Sequence, residues 1–284
     1  MGILKTSLIQ SIDLRVKNIE ASVNFYSDLL GFQVIENNNR RVLLSSDGQL
    51  PYLICLKENS SSSPLKQYSA GLYHIAFKFT SRKELARVFL RLFNKQIKFQ
   101  GFSDHLVSES IYLSDPDGNG VELYADKPGS EWNWKYGQVI MDSLPLDLSV
   151  ITSEIDDPEK WNGIHPETNI GHIHLKVTDL FKAEKFYNQI LGLNISNSFL
   201  QGAMFFSTGG YHHHIAVNTW FSGKGKPASE NSAGLIKFTL NMPDKNFLRS
   251  VSEKAAEYDL IIKSGNENDL CIKDFDGNVI NVIT

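Results

Sequence analysis

Ile12, Leu14 and Val16 alternate with Ser11, Asp13 and Arg15, the period-two pattern of a strand with one buried face. The period then changes. Ile19, Val23, Tyr26 and Leu30 recur at helical spacing, and Gly31 supplies a helix stop. Apolar runs at 33–36, 41–45 and 52–57, split by NNNR and SDGQLP turns, predict three further strands. This succession returns three times. HIHLKVTDLFKAEKFYNQILGL (172–193) repeats SIDLRVKNIEASVNFYSDLLGF (11–32), with a helix expected around 180–191. Two more copies start GLYHIAFKF (71–79) and GLIKFTLNM (234–242), and they end DPDGNGVELY (115–124) and DFDGNVINVI (274–283). In the second copy, Ser81 and Glu84 form a capping-box pattern ahead of LARVFLRLF, and the fourth predicts a helix near 244–258. The chain therefore reads as an α+β protein of four βαβββ modules.

Modules one and two occupy 7–128 and modules three and four 169–284. Between them lies a linker, 129–168, rich in Trp, Asp and Pro. Its length suits a crossing between domains or a lid. At 284 residues, with 42% hydrophobic and 21% charged residues, the chain can bury full cores in two domains. A net charge of -4 without a long basic run argues against a nucleic-acid partner. Absence of a long apolar stretch argues against a membrane span. The opening MGILKTSLIQSIDLRV leads into a strand pattern without a signal-peptide layout, and Cys55 and Cys271 sit in different modules. A cytoplasmic protein without a disulfide is expected. Self-association into a homo-oligomer stays open.

Strand alternation sorts the polar residues by face. His172, His174 and Lys176 share one face, as do His74, Ala76 and Lys78, and Glu122 shares a face with Gly120 and Tyr124. The DPDGNG segment is foremost a turn, where Asp, Asn and Gly supply local hydrogen bonds and positive φ. A lone strand His is more often structural than a ligand. The aromatic stripes of the helices are most simply core.

The motifs FYSDLLGF (25–32), FYNQILGL (186–193), GLYHIAF (71–77) and DPDGNGVELY (115–124) resemble the vicinal oxygen chelate superfamily of glyoxalases, bleomycin and fosfomycin resistance proteins and extradiol dioxygenases. The stretch GGYHHHIAVNTW (209–220) is most similar to catechol 2,3-dioxygenase-type members. The resemblance covers nearly the whole chain. It implies paired modules, each pair curling into a barrel-like domain with a metal on the concave side. It places ligands at Ser11, His74, His172 and Lys237 on the first strands, and at Glu122 and Asn281 on the last strands of copies two and four.

Only His74, His172 and Glu122 form a strong ligand set, with the composition of a 2-His-1-carboxylate facial triad. Fe(II) is the metal first implied, and Mn(II), Zn(II), Co(II) or Ni(II) suit the same trio. Extradiol enzymes pair module one with two and three with four, which gives the domains 7–128 and 169–284. Pairing two with three would instead collect all three ligands in one site. The resemblance also implies Tyr112 as a substrate-orienting residue and His105 as an acid–base group. In the HHH run His212 and His214 would share a strand face, which brings one of them, taken as His214, to the cavity as a ligand, a partner of a ligand or a proton shuttle, and Tyr211 and Trp220 would line an aromatic wall.

The expected function is a metal-dependent extradiol-type dioxygenase, with a small catechol-like aromatic diol and dioxygen as its partners. A glyoxalase-like lyase or isomerase, and a non-catalytic protein that binds an aromatic compound or drug, are the alternatives. Metal content and oxygen uptake separate them.

Overall fold

The repeats fold as the alternation predicts. In the computed structural model, residues 8–64, 66, 68–155, 161–223, 225–264 and 268–284 are described. Residue 7 and linker residues 156–160 fall outside them. Module one comprises the strand Ile9–Val16, the helix Ile19–Val23, and strands Gln33–Asn37, Arg41–Ser45 and Ile54–Glu58. Module two has Gly71–Phe79, the helix Arg82–Asn94, then Gly101–Asp104, Ser108–Ser114 and Gly120–Asp126. Module three has Asn169–Lys176, the helix Leu180–Glu184, then Asn194–Asn197, Ala203–Ser207 and Ile215–Asn218. Module four has Gly234–Asn241, the helix Lys245–Ala256, then Ile261–Ser264, Asp269–Lys273 and Val279–Ile283.

All four helices start on a side-chain cap: Asn18, Ser81, Asp179 and Asp244 each accept from backbone N–H groups of the first turn. In modules one and three the α-helix lasts five residues and continues as a wider π turn, Asn24–Leu29 and Lys185–Ile190. Each π turn carries a fully buried tyrosine. The Tyr26 hydroxyl donates to Asp115 Oδ2 at 3.0 Å, and the Tyr187 hydroxyl donates to Asp274 Oδ2 at 2.8 Å. The DPDG and DFDG turns of modules two and four are thereby latched to the helices of modules one and three.

The strands form two eight-stranded sheets of identical layout. One joins module two to module three through antiparallel pairing of Gly71–Phe79 with Asn169–Lys176. The other joins module one to module four through Ile9–Val16 and Gly234–Asn241. Within every module the first strand runs parallel to the last. This corrects the expected division into 7–128 and 169–284, because each half of the chain gives one module to each sheet. Modules one and two meet through the Tyr26–Asp115 latch rather than by strand pairing, so each first strand completes its hydrogen bonds with a first strand from the other half.

The apolar faces of both sheets share one core, which includes Ile12, Leu14, Ile75, Phe77, Ile173, Leu175, Phe238 and Leu240. The opposite faces carry the polar residues. Over that face of the module two–three sheet runs the linker. It forms a short hairpin, Trp134–Lys135 with Gln138–Val139, and is pinned where Asp104 and Leu144 exchange backbone hydrogen bonds. Cys55 and Cys271 are free thiols. Among the described residues no helix is long and apolar enough to cross a membrane.

Candidate metal centre and its cavity

Strand register brings His74, Glu122 and His172 together. His74 lies opposite His174 on the neighbouring strand, while Ala76 pairs with both His172 and Glu122. The small Ala76 side chain leaves space between its two larger neighbours. Gly120 pairs with His74, and a Cβ there would stand 2.4 Å from the Tyr73 carbonyl oxygen and 2.9 Å from His74 Cβ. Gly120 therefore lets the last strand lie close beside the His74 side chain.

The three donor atoms form a compact triangle. His74 Nε2 and His172 Nε2 lie 2.9 and 3.0 Å from Glu122 Oε2 and 3.2 Å from each other. All three side chains are buried. Burial alone would raise the Glu122 carboxyl, but His172 and His74 outweigh it and hold the group well below the usual carboxylate range. Burial pushes His172 down to about 4. An ionised carboxylate thus faces a neutral imidazole, the protonation state that ligands require. Donor atoms about 2.1 Å from a shared ion and at right angles to one another stand about 3.0 Å apart, so the triangle fits a facial set on one divalent cation. Among the described residues this is the trio of His, Cys, Asp or Glu side chains close enough to hold a metal. His172 Nδ1 is buried without a hydrogen-bond partner.

The trio lines a cavity of about 420 Å³. Tyr73, Phe205 and Trp220 give it aromatic walls, Leu200 and Met141 apolar ones, and Met141, Asp142 and Ser143 come from the linker. His105 and Tyr112, both expected at the site, line the cavity together. His105 Nδ1 donates to the Asp142 carbonyl at 2.7 Å, which leaves Nε2 to accept from the Tyr112 hydroxyl at 2.6 Å. Burial and the Glu122 charge raise the Tyr112 hydroxyl well above its ordinary value, so it remains a donor. The linker thus fixes the imidazole that meets Tyr112.

His214 is not brought to the cavity. Its Nδ1 is 3.1 Å from Ser207 Oγ, its ring packs on Tyr211 at 4.9 Å, and burial pushes it down to about 3. His213 lines the cavity instead, with its ring 4.1 Å from that of His172. Residues 211–214 precede the strand Ile215–Asn218, so strand alternation does not govern which His turns inward. Trp220 lines the cavity as expected, whereas Tyr211 sits behind it, its hydroxyl 2.7 Å from that of Tyr124. His174 also faces the cavity, with its Nε2 accepting from Asn218 Nδ2 at 2.9 Å. Burial pushes both His174 and His213 well below the ordinary histidine value, so both are neutral.

Comparison with known proteins gives the family and the fold. The chain matches the model of the Glyoxalase/Bleomycin resistance protein/Dioxygenase superfamily over residues 8–123 and 169–282, and it belongs to that superfamily. It is 39% identical to a catechol-2,3-dioxygenase of Bacillus subtilis, over 92% of this chain and 91% of that protein. A biphenyl-2,3-diol 1,2-dioxygenase of Rhodococcus globerulus is 29% identical over 44% of this chain and 68% of its own length. In sequence, then, the chain is catechol-2,3-dioxygenase-like. In fold it resembles the crystal structure of a Bacillus subtilis protein, with a TM-score of 0.68 over 99% of this chain and 86% of that one at 13% identity. Glyoxalase I of Zea mays gives 0.60 over 98% of this chain and 92% of that one at 12% identity.

Proposed function

We propose that this protein is a metal-dependent extradiol-type dioxygenase that opens the ring of a catechol-like aromatic diol. The observation that carries the reading is the buried triangle of His74, Glu122 and His172 on the wall of an aromatic cavity. These three residues would hold one divalent ion, Fe(II) in our reading, with Mn(II), Zn(II), Co(II) and Ni(II) compatible with the same donors. Such an ion would supply Lewis acidity towards the diol and towards dioxygen. With Glu122 ionised and His172 neutral, a loaded site would carry net positive charge, which would favour a deprotonated diol oxygen.

The chain's own residues do the rest. Tyr73, Phe205 and Trp220 hold an aromatic ring and exclude water. The Tyr112 hydroxyl donates to His105 Nε2, and its oxygen lone pairs face the cavity to accept from a substrate hydroxyl and orient it. His105 Nε2 can take up and return a proton through that hydroxyl. His213 presents a neutral imidazole beside His172, placed to accept a diol proton. With two free thiols in separate modules, we assign the protein to a reducing compartment, the cytoplasm.

Metal analysis of protein purified anaerobically, followed by oxygen uptake with catechol after Fe(II) loading, tests the reading. About one ion per chain and a yellow ring-cleavage product are expected. Bound metal without oxygen uptake would move the assignment to a glyoxalase-like lyase or isomerase. No metal after loading would leave a protein that only binds aromatic compounds.

A further inference from the structure

Behind the cavity wall, a line of hydrogen bonds runs from the strand that carries Glu122 to the imidazole beside His172. Asp126 is the last residue of that strand, Gly120–Asp126. Its Oδ1 stands 2.9 Å from His212 Nε2, and His212 Nδ1 stands 2.7 Å from His213 Nδ1. His212 is completely buried, and Asp126 keeps 22% of its side chain exposed. Burial would raise the Asp126 carboxyl, but the hydrogen bond from His212, with the Lys78 ammonium and the Tyr211 hydroxyl, holds it below its ordinary value.

An ionised carboxylate only accepts, so His212 Nε2 must carry its proton. His213 is held neutral by burial, and where the proton given to Asp126 is the single proton of His212, its Nδ1 accepts and the 2.7 Å contact is filled by His213 donating from Nδ1. That leaves the lone pair of His213 on Nε2, the nitrogen not engaged with His212, on a ring that lines the cavity. Moving the His213 proton to Nε2 would place two lone pairs against each other between the Nδ1 atoms of His212 and His213.

We propose that Asp126 and His212 are positioning residues that fix the orientation and tautomer of His213, so that its Nε2 lone pair faces bound substrate. The role of His213 in accepting a diol proton rests on the dioxygenase reading. The tautomer does not. Asp126 and His212 do not line the cavity and make no hydrogen bond to the ligand trio, although the His212 ring lies edge-on to that of His172 at 6.4 Å, and they act through His213. The step they prepare is a simple transfer: a substrate O–H bond breaks, the Nε2–H bond of His213 forms, and the proton is returned after ring opening. A carboxylate holding an imidazole in one tautomer is a device whose loss lowers turnover while geometry and binding survive.

The test uses the full chain loaded with diamagnetic Zn(II) and labelled with 15N at histidine. In the wild type the His213 proton is expected on Nδ1, with Nε2 unprotonated. Asp126→Leu should release His212 and shift the His213 proton to Nε2 or to a mixture, and Asp126→Glu should restore the wild-type signature. In Fe(II)-loaded protein with catechol, Asp126→Leu should lower kcat roughly 10–100-fold with KM changed less than about twofold. Tyr211→Phe removes one further hydrogen bond to Asp126, at 3.1 Å, but keeps the ring that packs on His212 at 4.1 Å and the His212 and Lys78 contacts of Asp126, so the His213 tautomer should stay that of the wild type. Should Asp126→Leu fail to fold, His212→Phe provides the same release of His213. A wild-type proton on His213 Nε2, or an unchanged tautomer in folded Asp126→Leu and His212→Phe, would overturn the proposal. If the wild type shows no oxygen uptake, the dioxygenase reading falls while the tautomer result still decides this inference.

Discussion

The two sheets are built alike and furnished differently. Where the module two–three sheet has His74, His172, His174, Gly120 and Glu122, the module one–four sheet has Lys237, Ser11, Asp13, Val279 and Asn281 at the same register. Both keep the tyrosine–aspartate latch and the pattern of parallel and antiparallel pairs. In the furnished sheet a buried carboxylate meets two imidazoles. In the other, Asp13 is neutralised within the protein by Lys57 at 2.8 Å and by the Tyr52 hydroxyl at 3.1 Å. The comparison separates two jobs that a repeat performs at once. Caps, latches and apolar faces make the architecture, and a handful of positions on the opposite face make the chemistry.

The largest effect should come from removing the charge that only one sheet possesses. Glu122→Gln should weaken metal binding and turnover by more than about 100-fold, beyond the loss typical of a ligand's outer partners, while circular dichroism stays native. Asn281→Ala, its counterpart, should change neither. Normal turnover in Glu122→Gln would remove Glu122 from the site. Next, grafting Ser11→His, Lys237→His and Asn281→Glu onto the bare sheet should raise the bound metal from about one ion per chain to about two. A graft that folds yet binds no second ion would show that more than the three positions separates the sheets.

A third substitution imposes on one sheet the side chain of the other. Gly120→Val, the residue found at 279, drives a Cβ against the Tyr73 carbonyl oxygen. It should cost roughly 1–3 kcal/mol in urea unfolding and weaken metal binding through displaced His74. The most gradual effect belongs to the latch. Burial pushes Asp274 up to about 6, although Asn278 and Tyr187 hydrogen-bond to it. Its folded-state value is thus above the ordinary 3.8, so between those two pH values the folded chain holds the extra proton. Stability from this group is greatest at low pH and falls as pH rises through that window, by about 2 kcal/mol between about pH 4.5 and 7. The slope should flatten in Asp274→Asn when unfolding is measured across that range.

Much of this was legible in the chain. The module boundaries, the Ser81 cap and the face shared by His172 and His174 follow from period-two and helical spacing. Convergence of His74, Glu122 and His172 could be framed as a choice between two pairings. What decides the choice is which first strand completes the edge of which other, and antiparallel pairing between identical modules carries no local signal. The π turns at Asn24 and Lys185 also escape a helical pattern, because the wider turn preserves the apolar spacing of its neighbours. His213 was missed in favour of His214 because alternation was applied to residues that lie before the strand.

Pairing across the two halves has a consequence for how the protein is made. Two of the three candidate ligands, His74 and Glu122, leave the ribosome well before His172, and the strand Gly71–Phe79 must wait for Asn169–Lys176 to cover its edge. Module one waits longer still, for Gly234–Asn241 near the end of synthesis. The nascent first half therefore exposes two open strand edges, the kind of surface that invites wrong partners and chaperones. A chain cut within the linker would separate the ligands onto two fragments, and metal capture by the mixed fragments would report their reunion.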